Sequence, residues 1–218
     1  MPQNKINSLF SFKTIFLIIN KFKYINDTLG YDVGDDLLRE ISKTVSTGAF
    51  DIVFMGRVSA DNFVLLMTYV NQEQIRENLI RLNESFLKKI KFCSIGKSTF
   101  IISGVATIKY GQDVVVTIDN ANIARKSIKK LSETSCCFYD DKLEKQAATE
   151  LDICNSMLQA LDDEEFIMYL QPKVDLVNNQ IVGAEALTRW RRKNGVMMVP
   201  DQFIPLFEKN GFILQLDF

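Results

Sequence analysis

The chain has 218 residues, 47% hydrophobic and 24% charged, with a formal net charge of −1. That balance describes a folded globular protein of one large or two small domains and excludes a disordered chain. It also excludes a global pull toward nucleic acid or an anionic membrane. The absence of any histidine removes Ser-His-Asp and Cys-His nucleophiles, His-ligated zinc and histidine as a general base. Any chemistry must rest on carboxylates, Lys, Arg and bound metal.

The first apolar run, Ile15 to Ile19 within "TIFLII" (14–19), reads as a buried strand. It is too short to cross a bilayer, and no small-residue cleavage site follows it, so the protein reads as cytoplasmic. "NDTLGYDVG" (26–34) is dense in Asn, Asp and Gly and reads as a loop. "DDLLREISKTV" (35–45) sets Leu37, Leu38, Ile41 and Val45 at helical spacing, with Asp35 and Asp36 where carboxylates favour a helix start. "FDIVFMGRV" and "NFVLLMTYV" then form a hairpin about Ser59-Ala60-Asp61-Asn62.

Residues 72–90 place Ile75, Leu79, Leu82, Phe86 and Ile90 on one helical stripe. "TFIISGVATI" (99–108) is a strand. "DNANIARKSIKKL" (119–131) is a helix with Ala121, Ala124, Ile128 and Leu131 inward, and "CCFYD" (136–140) is a short strand. Cys93, Cys136, Cys137 and Cys154 form no C-x-x-C pair and read as buried thiols of a reducing compartment. The element order resembles a ferredoxin-like β-α-β-β-α-β core with additions, an α/β (α+β) fold that hosts many functions.

From Asp141 to Leu161 a helix carries Leu143, Ala147, Leu151, Cys154, Leu158 and Leu161 as one apolar stripe, a connector packed along a neighbouring domain. "EFIMYLQPKVDL" and "QIVGAEALTRW" follow as two strands joined by the Val177–Gln180 turn. "PDQFIPLFEKNG" (200–211) is a helix with Pro at its start and Gly past its end.

"KFKYINDTLGYDVGDDLL" resembles the stretch D-x-D-x-F-K-x-I-N-D-x-x-G-H-x-x-G-D of GGDEF domains, the diguanylate cyclases. "RVSADNFVLL" falls where that family has R-x-G-G-D/E-E-F, and "DNANIARKSIKK" resembles its A-D-x-A-L-Y-x-A-K helix. "YLQPKVDL…IVGAEALTRW…PDQFIPLFEKNGFI" is similar to the opening of EAL domains, the cyclic-di-GMP phosphodiesterases. The resemblance implies a cyclase-type GGDEF domain at 1–140, short at its amino end, a connector helix at 141–161, and the incomplete (β/α) barrel start of an EAL domain at 162–218. A whole barrel of that type takes about 250 residues.

The resemblance also assigns roles. Ile18 stands where the cyclase has a metal-binding Asp, and Asn20 replaces the next Asp. Ser59 and Ala60 replace the two glycines that let the hairpin approach a triphosphate, and Asn62 replaces the acidic fourth residue. Asp61 remains as the hairpin carboxylate. An isoleucine cannot ligate Mg²⁺, which takes hard oxygen donors, so cyclase activity is not expected. Asn26 and Asp35 match the residues that read guanine, and Lys126 a lysine near the phosphates, which implies GTP binding without turnover. The inhibitory R-x-x-D product site would fall at Phe50 and Val53 and is absent.

In the second half Glu185, Leu187 and Arg189 share a strand face, with Gly183 on the same side. The family uses the matching Glu as a metal ligand and the matching Arg on a phosphate of cyclic di-GMP, which Arg's planar fork suits. Gln171 matches a residue at the same mouth. One Glu cannot hold a two-metal site, so any Mg²⁺ at Asp61 or Glu185 would be weakly held. The expected partners are GTP or cyclic di-GMP. One alternative is an active EAL phosphodiesterase, if the sequence is a fragment of a longer protein. The other is a nucleotide-independent interaction scaffold, a homodimer formed through the 143–161 stripe.

Overall fold

The computed structural model describes residues 11–46, 52–69, 71–90, 100–128 and 136–216, which divide into two units, Met1–Glu144 and Lys145–Phe218. Strand β1 (Ser11–Ile19) sits at the centre of a five-stranded sheet of order β2-β3-β1-β4-β5. Its alternating side chains are covered on both faces. Ile15, Leu17 and Ile19 join one buried cluster, while Phe16, with Ile18 packed beside it, belongs to a second. A strand buried on two sides reads as a continuous apolar run rather than an alternating one.

Strand β1 pairs antiparallel with β3 (Asn62–Tyr69) and with β4 (Ile101–Thr107). Strand β2 (Ile52–Ser59) closes the hairpin onto β3, and β5 (Cys136–Phe138) adds parallel to β4. Helices α1 (Phe22–Leu29), α2 (Tyr31–Ser46) and α3 (Gln72–Ile90) cover the Ile15–Leu17–Ile19 face. Helix α4 (Val114–Lys126) covers the other. The mixed α/β sheet meets the ferredoxin-like expectation, with β5 as the addition.

Three local readings are corrected. Residues 26–34 are not a loop: α1 runs through Asn26, and only Gly30, at φ 89°, separates it from α2. Phe22 and Ile25 are buried at helical spacing and outweigh the turn-forming composition that follows them. Asp35 therefore lies inside α2, which starts at Tyr31, and does not begin a helix. Helix α4 begins five residues earlier than position 119, because the Asp113 carboxylate accepts from the Val115 amide at 2.9 Å and caps it. It ends at Lys126 with Ser127 as its C-cap, so Ile128 lies past the helix it was expected to line; Leu131 falls outside the described residues, as do Phe50, Thr99 and Cys93.

The close seating of α4 depends on Gly104. A Cβ there would stand 1.9 Å from the Ala121 carbonyl oxygen and 2.4 Å from the Arg125 nitrogen. Only a residue without a side chain lets the helix backbone approach β4 this closely.

In the second unit, helix α5 (Asp141–Asp162) has the expected length, but its buried line differs from the leucine stripe. Ile153 and Ala160 are buried with Met157 against them, whereas Leu151 and Leu158 are 62% and 58% exposed. The helix carries two apolar lines, and the core takes the one that fits between α6 and β7. Strands β6 (Phe166–Val174) and β7 (Ile181–Arg191) form the expected hairpin, extended by β8 (Met197–Met198). Helix α6 (Pro200–Asn210) starts at its proline and stops at Gly211, φ 80°. The short α7 (Ile213–Leu216) follows.

Five aromatic rings, from Phe166, Trp190, Phe203, Phe207 and Phe212, form the heart of this unit, with neighbouring centroids from 4.8 Å upward. Such pairs add about 0.5–1.5 kcal/mol each beyond area burial. The Trp190 indole N–H donates to Glu165 at 2.7 Å, so its one polar atom is satisfied inside the core.

Gly104→Ala is expected to push α4 off the sheet and cost about 1–3 kcal/mol. Urea unfolding of the two forms measures the difference, and an unchanged midpoint would remove Gly104 as the determinant of this packing.

Candidate functional site

The register of β1 with β3 brings Ile18 opposite Asn62, so the hairpin turn lies beside the carboxyl end of β1. The chain then passes through Asn20, whose amide donates to the Phe100 carbonyl at 2.8 Å, and Lys21, left-handed at φ 59°, into α1. Strand end, hairpin turn and helix start are thereby gathered at one edge of the sheet. A helix start presents unbonded N–H groups and positive potential there, a setting that favours anionic groups.

The turn is braced from within. The Arg57 Nε donates to the Ala60 carbonyl at 2.6 Å, and the Asn62 carboxamide donates to the Ser59 hydroxyl at 2.9 Å. Ala60 has φ 39°, on the positive side where glycine is favoured and an L side chain is strained. The chain keeps a glycine-like backbone at this position while carrying a methyl group.

Asp61 is partly buried, and burial pushes its carboxyl up. Backbone hydrogen bonding at Asp61 and Ile19 and the charges of Arg125 and Arg57 pull it down. Arg125 is the reciprocal case, lowered by burial and raised by Asp61. Lys126, the expected phosphate residue, is exposed at the end of α4. Its neighbour Arg125 is the cation that lies on the sheet, with its guanidinium 5.6 Å from the Phe16 ring centroid. The sequence reading passed over Arg125. A charged residue one position after the inward-facing Ala124 is the signal that would have found it.

Asn26 packs against Gly34. A Cβ on Gly34 would fall 1.9 Å from the Asn26 Oδ1, so glycine makes room for the carboxamide between α1 and α2. That Oδ1 is buried and has no hydrogen-bond partner. A buried polar atom without a partner is costly, about 1–3 kcal/mol, and calls for a physical reason. Asp35, next in the chain to Gly34, is exposed. A carboxylate accepts, and a carboxamide both donates and accepts, beside the same glycine.

In the second unit the β6–β7 register sets Gln171 directly opposite Glu185. Tyr169 and Leu187 pair next to them, and Arg189 lies two residues further on the same face. The Glu185 carboxylate stands 3.7 Å from the Lys173 ammonium, with both side chains more than half exposed. The Arg189 guanidinium donates to the Thr188 carbonyl at 2.9 Å. The ion-pair partner of Glu185 is thus Lys173 across the hairpin and not Arg189. Lys173 was not singled out from the sequence, since cross-strand register is not visible there.

Comparison with known proteins places the chain in a family. Residues 3–134 match the family described as "Diguanylate cyclase, GGDEF domain", and residues 155–218 match the family described as "EAL domain". The chain is 29% identical over 208 residues to the cyclic di-GMP phosphodiesterase NbdA of Pseudomonas aeruginosa, covering 93% of this chain and 26% of that protein. It is 29% identical over 212 residues to the bifunctional diguanylate cyclase/cyclic di-GMP phosphodiesterase MucR of the same organism, covering 94% of this chain and 30% of that one. It therefore spans less than a third of the length of these relatives. Among solved structures, the S helix-GGDEF-EAL portion of LapD from Vibrio cholerae, bound to c-di-GMP, aligns over 90% of this chain and 46% of that one, with a TM-score of 0.47 and 16% identity.

Replacing Ala60 by glycine relieves about 1–2 kcal/mol of left-handed strain and adds back about 0.5–1 kcal/mol of chain entropy. Ala60→Gly is therefore expected to stabilise the chain by up to about 1.5 kcal/mol. Urea unfolding at neutral pH checks the sign, and a destabilised variant would mean that the methyl group makes a favourable contact.

Proposed function

Because the chain belongs to the diguanylate cyclase GGDEF family over residues 3–134 and continues into an EAL domain, we propose that it serves cyclic-di-GMP signalling as a regulatory module that binds GTP without joining it into cyclic di-GMP. The observation that carries this reading is the buried, unpartnered Oδ1 of Asn26 beside Gly34 and Asp35. Guanine supplies what that pair lacks. Its N1–H and N2–H₂ donors suit oxygen acceptors, and its O6 and N7 suit a carboxamide donor. The start of α1, on the same helix as Asn26, presents backbone N–H donors to anionic groups.

Absence of turnover follows from what phosphoryl transfer needs. The reaction depends on positioning and on neutralising charge as the bond to the leaving group breaks. GGDEF and EAL domains generally use divalent metal ions for that neutralisation. At the turn, Ile18 offers hydrocarbon, and Asn62 offers a neutral carboxamide in place of a carboxylate. With little stabilisation aimed at the developing charge, a bound nucleotide persists as a ligand, and its occupancy becomes a signal to the rest of the protein.

A second reading concerns the EAL half. Gln171, Glu185 and Arg189 share one face of the β6–β7 hairpin, which supports binding of cyclic di-GMP by a protein containing this segment. Hydrolysis there would require carboxylates beyond Glu185.

Calorimetry with GTP tests the first reading. We expect weak binding, in the micromolar to millimolar range, that Asp35→Ala abolishes. No heat at millimolar GTP, or unchanged binding in Asp35→Ala, removes the regulatory reading. Mass spectrometry of protein incubated with GTP and Mg²⁺ should show no cyclic di-GMP, and detectable product would overturn the argument from Ile18.

A further inference from the structure

The β6–β7 hairpin carries a cation beside Glu185 that the reading of this half leaves without a role. Lys173 lies on the same face as Gln171, two residues further along β6, and its register partner is Gly183. Glycine offers no side chain there, and a Cβ at Gly183 would meet nothing within 4 Å. The lysine stem leans across that open floor to its diagonal neighbour, with its ammonium 3.7 Å from the Glu185 carboxylate. Immediately after Lys173 the ladder shifts register: Val174 pairs with Ile181, and Val182 is the extra residue. Such a bulge bends a strand and re-aims the side chains next to it.

The ion pair holds Lys173 loosely. Both side chains are more than half exposed, and a pair in that setting contributes little. A phosphate, with its charge and several acceptor oxygens, competes well for the ammonium. On the other side of Glu185 stands Arg189, four residues along β7, a separation of about 13 Å between backbone positions. One of its terminal nitrogens donates to the Thr188 carbonyl, and the rest of the fork keeps its donors. Between the two cations Tyr169 pairs with Leu187. Tyr169 is half exposed, a surface on which a base can lie. The described residues do not fit a metal pair here. Glu185 has a lysine beside it and not a second carboxylate, and among the described residues no three His, Cys, Asp or Glu side chains gather to hold a metal.

We propose that Lys173 is a phosphate-binding residue of this face, taking one phosphate of a cyclic dinucleotide while Arg189 takes the other. The proposal rests on the reading that this half binds cyclic di-GMP. A ring with two phosphates presents two anionic groups on one molecule, and a cation on either side of Glu185 matches that count. Lysine suits the part, since its ammonium is a point charge on a flexible stem and swings from Glu185 to the ligand.

Calorimetry of cyclic di-GMP with the full chain, in EDTA so that no metal takes part, tests this. The wild type should bind. Arg189→Ala and Lys173→Ala should each weaken binding by about tenfold or more, and Lys173→Arg should recover it to within about threefold. The affinity of Lys173→Ala should also depend less on salt than that of the wild type, a response that a change in packing alone would not produce. If the wild type shows no binding, or if Arg189→Ala binds as the wild type does, the reading of this half fails and the proposal with it. If Arg189→Ala loses affinity and Lys173→Ala does not, the reading stands and the proposal alone is overturned. A loss in Lys173→Ala without recovery in Lys173→Arg, or with unchanged salt dependence, also overturns it. Should Lys173→Ala fail to fold, Lys173→Gln takes its place in the same comparisons.

Discussion

Strand β1 carries apolar side chains on both faces, and a strand of that kind has to be covered twice. Ile15, Leu17 and Ile19 draw α1, α2 and α3 to one side, and Phe16 with Ile18 draws α4 to the other. Burying one such side chain is worth about 1.5–3 kcal/mol, so the placement of both layers follows from the strand. The rest of the amino-terminal unit is arranged by its consequences. The end of β1 delivers the chain to α1, the register with β3 brings the hairpin turn alongside, and the opposite layer holds Arg125 over Phe16.

Within that frame, substitutions at the turn compensate one another. A serine and an asparagine where the family has a glycine and an acid bond to each other across the turn. An alanine where the family has its other glycine keeps the unfavourable backbone. The result is an exposed turn whose side chains bond within it. The Asn26 carboxamide is the opposite case, an acceptor left without a partner in a closely fitted recess. The two features differ: the turn bonds within itself, and the Asn26 recess leaves an acceptor without a partner.

Much of the fold is legible in the sequence, and the exceptions have physical causes. Strands announced themselves by composition and helices by their 3.6-residue period. The segment 26–34 misled because Asn, Asp and Gly were read for their turn propensity, although only Gly30 adopts a turn-like backbone. The leucines of α5 misled because residue size is visible in a sequence, whereas the direction from which a core approaches is not. Ile153, Met157 and Ala160 fit where Leu151 and Leu158 do not. At the sites, Glu185 and Arg189 could be placed on one face by counting in twos, but Lys173 opposite them depends on register. Arg125 escaped because its importance lies in Gly104 and Phe16, far from it along the chain and adjacent to it only after folding.

The central position of β1 has a consequence for how the protein is made. Its partner on β4 is distant, since Lys13 on β1 meets Thr107 across 94 residues. At a synthesis rate of about 5–20 residues per second, β1 waits on the order of 5–20 s for that edge to be covered. For that interval an almost wholly hydrophobic strand is exposed, the setting in which chains stick to one another. Lys13 flanks the run with a charge, and in the finished fold it is 5% exposed, its ammonium hydrogen-bonded to the Thr107 hydroxyl. Such a residue is costly to bury in the native state and protective on the ribosome, so its place in the core records a compromise between finished stability and safe passage to it.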